Sequence, residues 1–401
     1  MPALIAQADR RLRSGAAGQS RRHATAERLL AALLRSATEL GASDLRLAPR
    51  PGGAWACVRC HGAVRKLGDF SPHLLDALCA VAARGLGTGA QCARYRFEST
   101  LGSCLAGRTA FIRILDQQAP PIALDAIGYQ AADLETIRHI LGAPSGLVLL
   151  LGPAGCGKTT SLYSMLEALD PQRRSVQTLE SHIRRPVDQW LQFQLPADSC
   201  AEPDRWEQGL FWLLQNGPDA ILLGQIASPG VARLALQAAR GGHLVLSTMV
   251  LERANGVLAE FQRLQAHQAQ VLEALSLVVA QRLVGRLCPH CSQPDDRDEV
   301  RRALAAALNT WLAQAKVQAR RSSPEGCRHC RGTGYDGKTL IYELLEIDSR
   351  ARGLIGSGAD AIELERALLA DGRTLWDRGL ARVADGTTSL DALLAAVRSP
   401  R

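Results

Sequence analysis

The run LVLLLGPAGCGKTT, residues 147–160, sets three glycines, a lysine and two threonines directly after a continuous apolar stretch. Gly152, Gly155 and Gly157 let the main chain wrap a phosphate, Lys158 supplies a point charge, and Thr159 offers a hydroxyl to Mg²⁺. All fixed positions of the G-x-x-x-x-G-K-[ST] pattern are present, with a strand before and a helix after, the context that phosphate cradling requires. Gly152, Pro153, Ala154, Gly155, Cys156, Gly157, Lys158, Thr159 and Thr160 are therefore expected to hold a nucleotide, with the Cys156 side chain pointing away from the phosphates. Downstream, AILLGQ puts Gln225 where a hydrolase of this kind needs a carboxylate at a strand end. An amide can orient a water but cannot accept its proton, and general-base catalysis contributes about 10²–10⁴-fold. The sequence thus speaks for binding more strongly than for turnover.

Cysteine supplies the second chemical pattern. Cys288/Cys291 (CPHC) and Cys327/Cys330 (CRHC) are two CxxC turns, each able to set two thiolates on one side of a tetrahedral ion. The matched pairs, each with an interior His, predict a structural Zn²⁺ site closing a polar, arginine-rich insert that has little core of its own. A third pair, Cys57 and Cys60, lies in an apparent strand, WACVRC, where residues three apart face opposite sides. These two read as small packing residues. His243 follows two glycines and precedes LVLST, which on this reading puts its imidazole near the phosphate end of the domain.

The elements that must position these residues alternate along the chain. Residues 1–23 are a basic leader, Arg10, Arg11, Arg13, Arg21 and Arg22 against the single acid Asp9, read as a disordered, solvated arm; acidic lipid headgroups are its other conceivable contact. Residues 24–118 read as a small α/β domain, with a helix from Ala24 to Gly41, strands at Leu45–Leu47, Ala54–Cys60, Arg94–Phe97 and Thr109–Leu115, and a helix at His73–Arg84. QQAPP, residues 117–121, is the linker. Residues 119–401 then read as a P-loop domain in which buried strands alternate with amphipathic helices, implying a parallel sheet covered on both faces. Within it, residues 285–342 form the zinc insert and 343–401 a helical tail.

A length of 401 residues, 47% of them hydrophobic, is enough for two or three ordinary cores, hence the multidomain reading. No apolar stretch approaches a membrane span of roughly 18 residues, and MPALIAQADRRLRSG lacks the long apolar region of a signal peptide, so a cytoplasmic location is expected. In that compartment eleven cysteines are not expected to form a disulfide framework. The net charge of +8 fits an anionic partner such as a membrane surface or nucleic acid, but no aromatic stacking platform or basic stripe accompanies the core, which leaves a nucleic-acid motor a distant alternative.

From Ala42 onward the chain resembles the ATPases of type II secretion and type IV pilus assembly. ASDLRLAP is similar to that family's ASDIHIEP, RILD (Arg113–Asp116) to its RLLD, and GPAGCGKTTSLYSML to its GPTGSGKTTTLYAAL. GHLVLST, VVAQRLVGRLCPHC, GCRHCRGTGYDGKTLIYELLEID and GLARVADGTTSLDALL follow in the family's order. The resemblance implies a RecA-like P-loop domain behind a smaller α/β domain, a hexamer of identical chains or one mixed with a paralogue, and ATP with Mg²⁺ between the two domains. It also implies peripheral attachment to an inner membrane through platform proteins, with Arg94 or Arg96 and Arg113 on the nucleotide side of the first domain. The tetracysteine module points to the extension or secretion branch. Departures fall on catalytic positions: of the acidic box T-I-E-D-P-I-E only the first carboxylate survives, as Glu180, while Gln225 replaces the catalytic Glu and Val250 the second His of the box that opens with His243. A degenerate site of Glu180, Gln225 and His243 is therefore expected, in an ATP-binding subunit of weak turnover; a fully active motor is the alternative.

Overall fold

A computed structural model of the chain describes residues 2–13, 19–60, 63–84, 94–118, 120–170, 173–195, 202–309, 311–313, 316–358, 363 and 373–397. The chain divides into two compact units, Met1–Ala119 and Pro120–Arg401.

The first unit runs α1 (Pro2–Arg13), α2 (Gln19–Glu39), β1 (Ala42–Arg50), β2 (Gly53–Cys60), β3 (Ala63–Phe70), α3 (Pro72–Ala83), β4 (Tyr95–Cys104) and β5 (Gly107–Asp116). Its five strands form one antiparallel sheet in the order β3-β2-β1-β5-β4. Leu45 and Leu47 of β1, two apart and so on one face, are fully buried with Leu29, Leu33 and Leu34 of α2 and Leu74 and Leu78 of α3. The leader departs from expectation. Residues 2–13 are helical, Ile5 is 1% exposed, and the Asp9 carboxylate accepts from both the hydroxyl and the backbone N–H of Ser71, which itself caps α3. Charge counting hid the apolar Ile5 and Ala8 that seat α1; residues 14–18 lie outside the described residues.

The second unit contains α4 (Ala131–Gly142), β6 (Gly146–Leu151), α5 (Lys158–Glu167), β7 (Val176–Glu180), β8 (Leu191–Gln194), α6 (Pro203–Leu214), β9 (Ala220–Leu223), α7 (Pro229–Arg240), β10 (Leu244–Met249), α8 (Val257–Arg263), α9 (Gln268–Ala274) and β11 (Leu275–Leu287). There follow β12 (Gln293–Pro294), α10 (Asp298–Leu308), β13 (Arg320–Arg321), β14 (Tyr335–Glu346), α11 (Ser349–Gly356) and the helices Leu375–Ala384 and Leu390–Ala396. Seven strands make one sheet, β14-β11-β6-β10-β9-β7-β8, parallel except for β14, which runs antiparallel to β11. Both faces are covered. Leu147, Leu149 and Leu151 of β6 enter one core with Trp206, Leu210 and Leu236, while Val148 and Leu150 enter the other with Ile137, Leu162 and Leu166. That two-sided burial is why β6 is apolar throughout.

The insert has other borders than the sequence suggests. β11 and β14 pair from Leu277↔Glu346 to Leu287↔Tyr335, so the sheet continues to the root of the cysteine module, and the stretch expected to open the helical tail is strand up to Glu346.

Candidate functional site

Strand register fixes which residues share an end of the sheet. Leu151 of β6 lies opposite Met249 of β10 and Ala280 of β11, and Leu223 of β9 lies opposite Ser247 of β10 and Leu179 of β7. The loop after β6, Glu180 closing β7, Gln225 after β9 and Val250 after β10 therefore all stand at the carboxyl end. His243 does not. It precedes β10 at the opposite end, where its carbonyl accepts from Gly146 N–H at 3.2 Å and its Nδ1 lies 2.6 Å from the Pro218 carbonyl oxygen. The six residues of β10 separate it from the phosphate end by about 20 Å. The expectation for His243 is thereby corrected: the glycine pair before it marks the start of a strand, whereas phosphate loops sit at strand ends.

The loop 152–157 has the backbone that its glycines permit. Gly152, Gly155 and Gly157 have φ of 145°, 78° and 93°. At Gly152 a Cβ would come within 2.6 Å of Cys156 Sγ and 2.7 Å of the Gln281 carbonyl, so no larger residue fits there. Gly157 caps α5, whose first turn carries Lys158, Thr159 and Thr160, and Pro153, Ala154 and Gly155 are exposed along the rim. Free N–H groups and the helix dipole at such an end favour an anion. The Lys158 ammonium donates to the carbonyls of Gly152 (2.6 Å) and Pro153 (2.9 Å), and burial holds its pKa below the usual lysine value, with Arg282 adding like-charge repulsion. Cys156 is 4% exposed. Its carbonyl accepts from Gln281 Nε2 at 2.9 Å, so β11 braces the loop from the side.

The neighbouring strand ends are less well furnished. Glu180 is buried, and the Tyr163 hydroxyl of α5 donates to its two carboxylate oxygens at 2.9 Å each while Thr178 Oγ1 adds a third contact at 2.8 Å. Burial raises the Glu180 pKa, and these hydroxyls oppose that rise. Gln225 is exposed just beyond β9, its segment fixed by Thr248 Oγ1 donating to Gly224 O (2.8 Å) and Ile226 N–H to Thr248 O (3.0 Å). Val250 is 75% exposed and offers no proton-transfer group. Arg94 and Arg113 belong to the first unit, where Arg94 pairs with Asp116 at 2.7 Å and Arg113 sits in β5 opposite Asp44 and Glu98.

The four cysteines of the insert converge, with all sulfurs within 4.8 Å of one another. Cys288–Cys327 and Cys291–Cys330 are 3.7 Å apart and Cys327–Cys330 3.8 Å. Four sulfurs about 2.3 Å from one tetrahedral Zn²⁺ stand about 3.8 Å apart, so the donor set fits that ion. Against the effect of burial, N–H groups of Cys327 and Gly334 bring the Cys330 thiol down to about 6, while burial and its thiol neighbours push Cys291 up to about 12. The His290 and His329 rings lie 4.3 Å apart, tilted at 51°, beside the cluster and are not part of it. Cys57 and Cys60 are buried on β2 and join no such group among the described residues.

Pattern reading missed Tyr163, Gln281 and Arg282. The available signal was a polar pair, Gln281–Arg282, directly after the apolar run LVVA of β11; both are buried, at 0% and 8% exposure.

A glycine loop at the carboxyl end of a parallel sheet covered on both faces is the architecture of a P-loop domain. Residues 90–395 match the family model described as "Type II/IV secretion system protein", and the chain belongs to that family. It is 34% identical over 303 residues to "Type II secretion system protein E" of Klebsiella pneumoniae, covering 75% of this chain and 58% of that protein's length. Over 398 residues it is 30% identical to "Protein transport protein HofB homolog" of Escherichia coli (strain K12), covering 94% and 83%. The fold is similar to that of the ATPase DotB of Legionella pneumophila, with a TM-score of 0.62 at 17% identity over 90% of this chain and 93% of that one. Among the described residues no helix is long and apolar enough to cross a membrane.

Proposed function

We propose that the chain is a nucleotide-binding subunit of a secretion or pilus-assembly machine that holds Mg·ATP in the loop 152–160 and hydrolyses it weakly. The observation that carries the reading is the contrast at the carboxyl end of the sheet: a complete glycine cradle after β6, and an exposed amide, Gln225, after β9. Lys158 would neutralise phosphate charge and Thr159 would hold Mg²⁺, contributions that need no proton transfer. Activation of the attacking water does need one, and the amide of Gln225 can only orient it. Glu180 closes β7, and its carboxylate oxygens are engaged by Tyr163 and Thr178.

In the same reading Cys288, Cys291, Cys327 and Cys330 hold Zn²⁺, which closes the insert between β11 and β14. Family membership supports a hexamer, of this chain alone or with a paralogue, working in the cytoplasm against membrane-embedded platform proteins. A fully active motor is the competing reading; steady-state hydrolysis by the purified chain, measured beside Mg·ATP binding, separates the two. Tight binding with hydrolysis near background is expected, and turnover at motor-like rates would overturn the weak-hydrolysis reading.

A further inference from the structure

The middle of β11 walls the P-loop, and two adjacent polar residues there, Gln281 and Arg282, face opposite sides of the strand. Gln281 braces the loop through the Cys156 carbonyl. Arg282 turns to the other face, where it is 8% exposed and donates from Nη1 to Gln281 O (2.9 Å) and from Nη2 to Glu252 O (2.8 Å). A Cβ on Gly152 would stand 3.0 Å from Arg282 Nη1, so the guanidinium lies against the first residue of the cradle. Lys158 reaches the carbonyl of that same glycine. Two cations thus flank Gly152, and among the described residues no carboxylate pairs with Arg282. A guanidinium bonded only to carbonyls keeps its whole charge, and burial penalises that charge until an anion joins it. With Pro153 and Glu252, Arg282 also lines a cleft of about 880 Å³ beside the loop.

We propose that Arg282 reads the terminal phosphate of a nucleotide held by the P-loop, giving the chain its preference for a nucleoside triphosphate over a diphosphate. The planar fork of arginine suits a phosphate oxygen pair, and it is supplied here within the same chain. Nη2 holds the Glu252 carbonyl, so an Arg282 that turns towards phosphate also releases or shifts the segment after β10. The next residue, Arg253, pairs with Glu343 at 3.3 Å, and that buried carboxylate also accepts from the N–H of Leu375 at the start of the helix Leu375–Ala384. The charge on the nucleotide thereby gains a physical route to the end of the chain. The inference rests on the nucleotide-binding reading above.

Calorimetric titration of the full chain with Mg·ADP and with the non-hydrolysable β,γ-imido analogue of ATP tests it, on wild type, Arg282→Gln and Arg282→Lys, with a thermal melt of each. Arg282→Gln is expected to lower the triphosphate-to-diphosphate affinity ratio about tenfold while leaving ADP binding within about twofold. Arg282→Lys keeps the charge but loses the fork, so its ratio should fall between the two; it also serves as the test if Arg282→Gln does not fold. An unchanged ratio, or equal weakening of both ligands, overturns the assignment. A folded wild type that binds neither ligand instead defeats the nucleotide reading itself.

Discussion

β6 and β9 are separated in the sheet only by β10 and finish at the same end, yet they finish very differently. After β6 three left-handed glycines, a lysine and a helix start are all in place; after β9 comes an exposed amide, and after β10 an exposed valine. On the proposed reading, gripping a phosphate and activating a water are built on separate strands. One can be lost while the other stays, because cradle geometry depends on backbone conformation and proton transfer on single side chains.

The largest expected effect sharpens that contrast. Gln225→Glu restores a carboxylate at the end of β9 and should raise ATP hydrolysis by about 10²-fold or more over wild type, read as phosphate release. No gain would mean that the deficit lies elsewhere, for instance in Glu180. Lys158→Ala should weaken Mg·ATP binding about 10- to 100-fold by calorimetry without unfolding the chain, since the ammonium bonds within its own loop, to the Gly152 and Pro153 carbonyls and the Cys156 sulfur. Chelation at neutral pH, or Cys288→Ser, should release about one Zn²⁺ per chain and expose the insert to protease, with ATP affinity little changed. Retained metal after Cys288→Ser would contradict the four-sulfur site.

A smaller effect concerns pH. Burial raises the Glu180 pKa, so the proton it binds when folded contributes stability in acid, and that contribution is lost as pH climbs through its folded pKa. Glu180→Gln should therefore gain on wild type in thermal stability as pH rises above the ordinary carboxylate range, with the two converging in acid. A stability difference independent of pH would show that Glu180 is not held above its ordinary value. The smallest effect is expected at His243: replacement by Ala should leave nucleotide affinity unchanged within about twofold, because β10 stands between it and the cradle.

Much of this was legible in the residues. The phosphate loop, the paired CxxC turns and the alternation of helix and strand each carry a local signal tied to backbone geometry. The elements that were missed carry no such signal. β3 reads AVRKLGDF, with charge and a glycine mid-run, because it is the outermost strand of its sheet. β11 and β14 flank the cysteine insert, and their pairing joins residues about sixty positions apart, which no periodicity reports. Helix α1 was hidden by its arginines, since Ile5 and Ala8 are few against that charge. The position of His243 failed for a related reason: the motif names the strand but not which of its ends faces the cradle. Arg282 needed the fold as well, because only the register of β11 beside β6 brings it to Gly152.

The most direct test of the central claim is a paired measurement on one folded, metal-replete sample of the wild-type chain and of Gln225→Glu: Mg·ATP affinity by calorimetry and phosphate release at saturating ATP. Comparable affinities with hydrolysis near background in the wild type and clearly raised in the variant are the expected result. Absence of ATP binding at millimolar ligand, or rapid wild-type turnover that Gln225→Glu leaves unchanged, would contradict the separation of binding from catalysis on which this account stands.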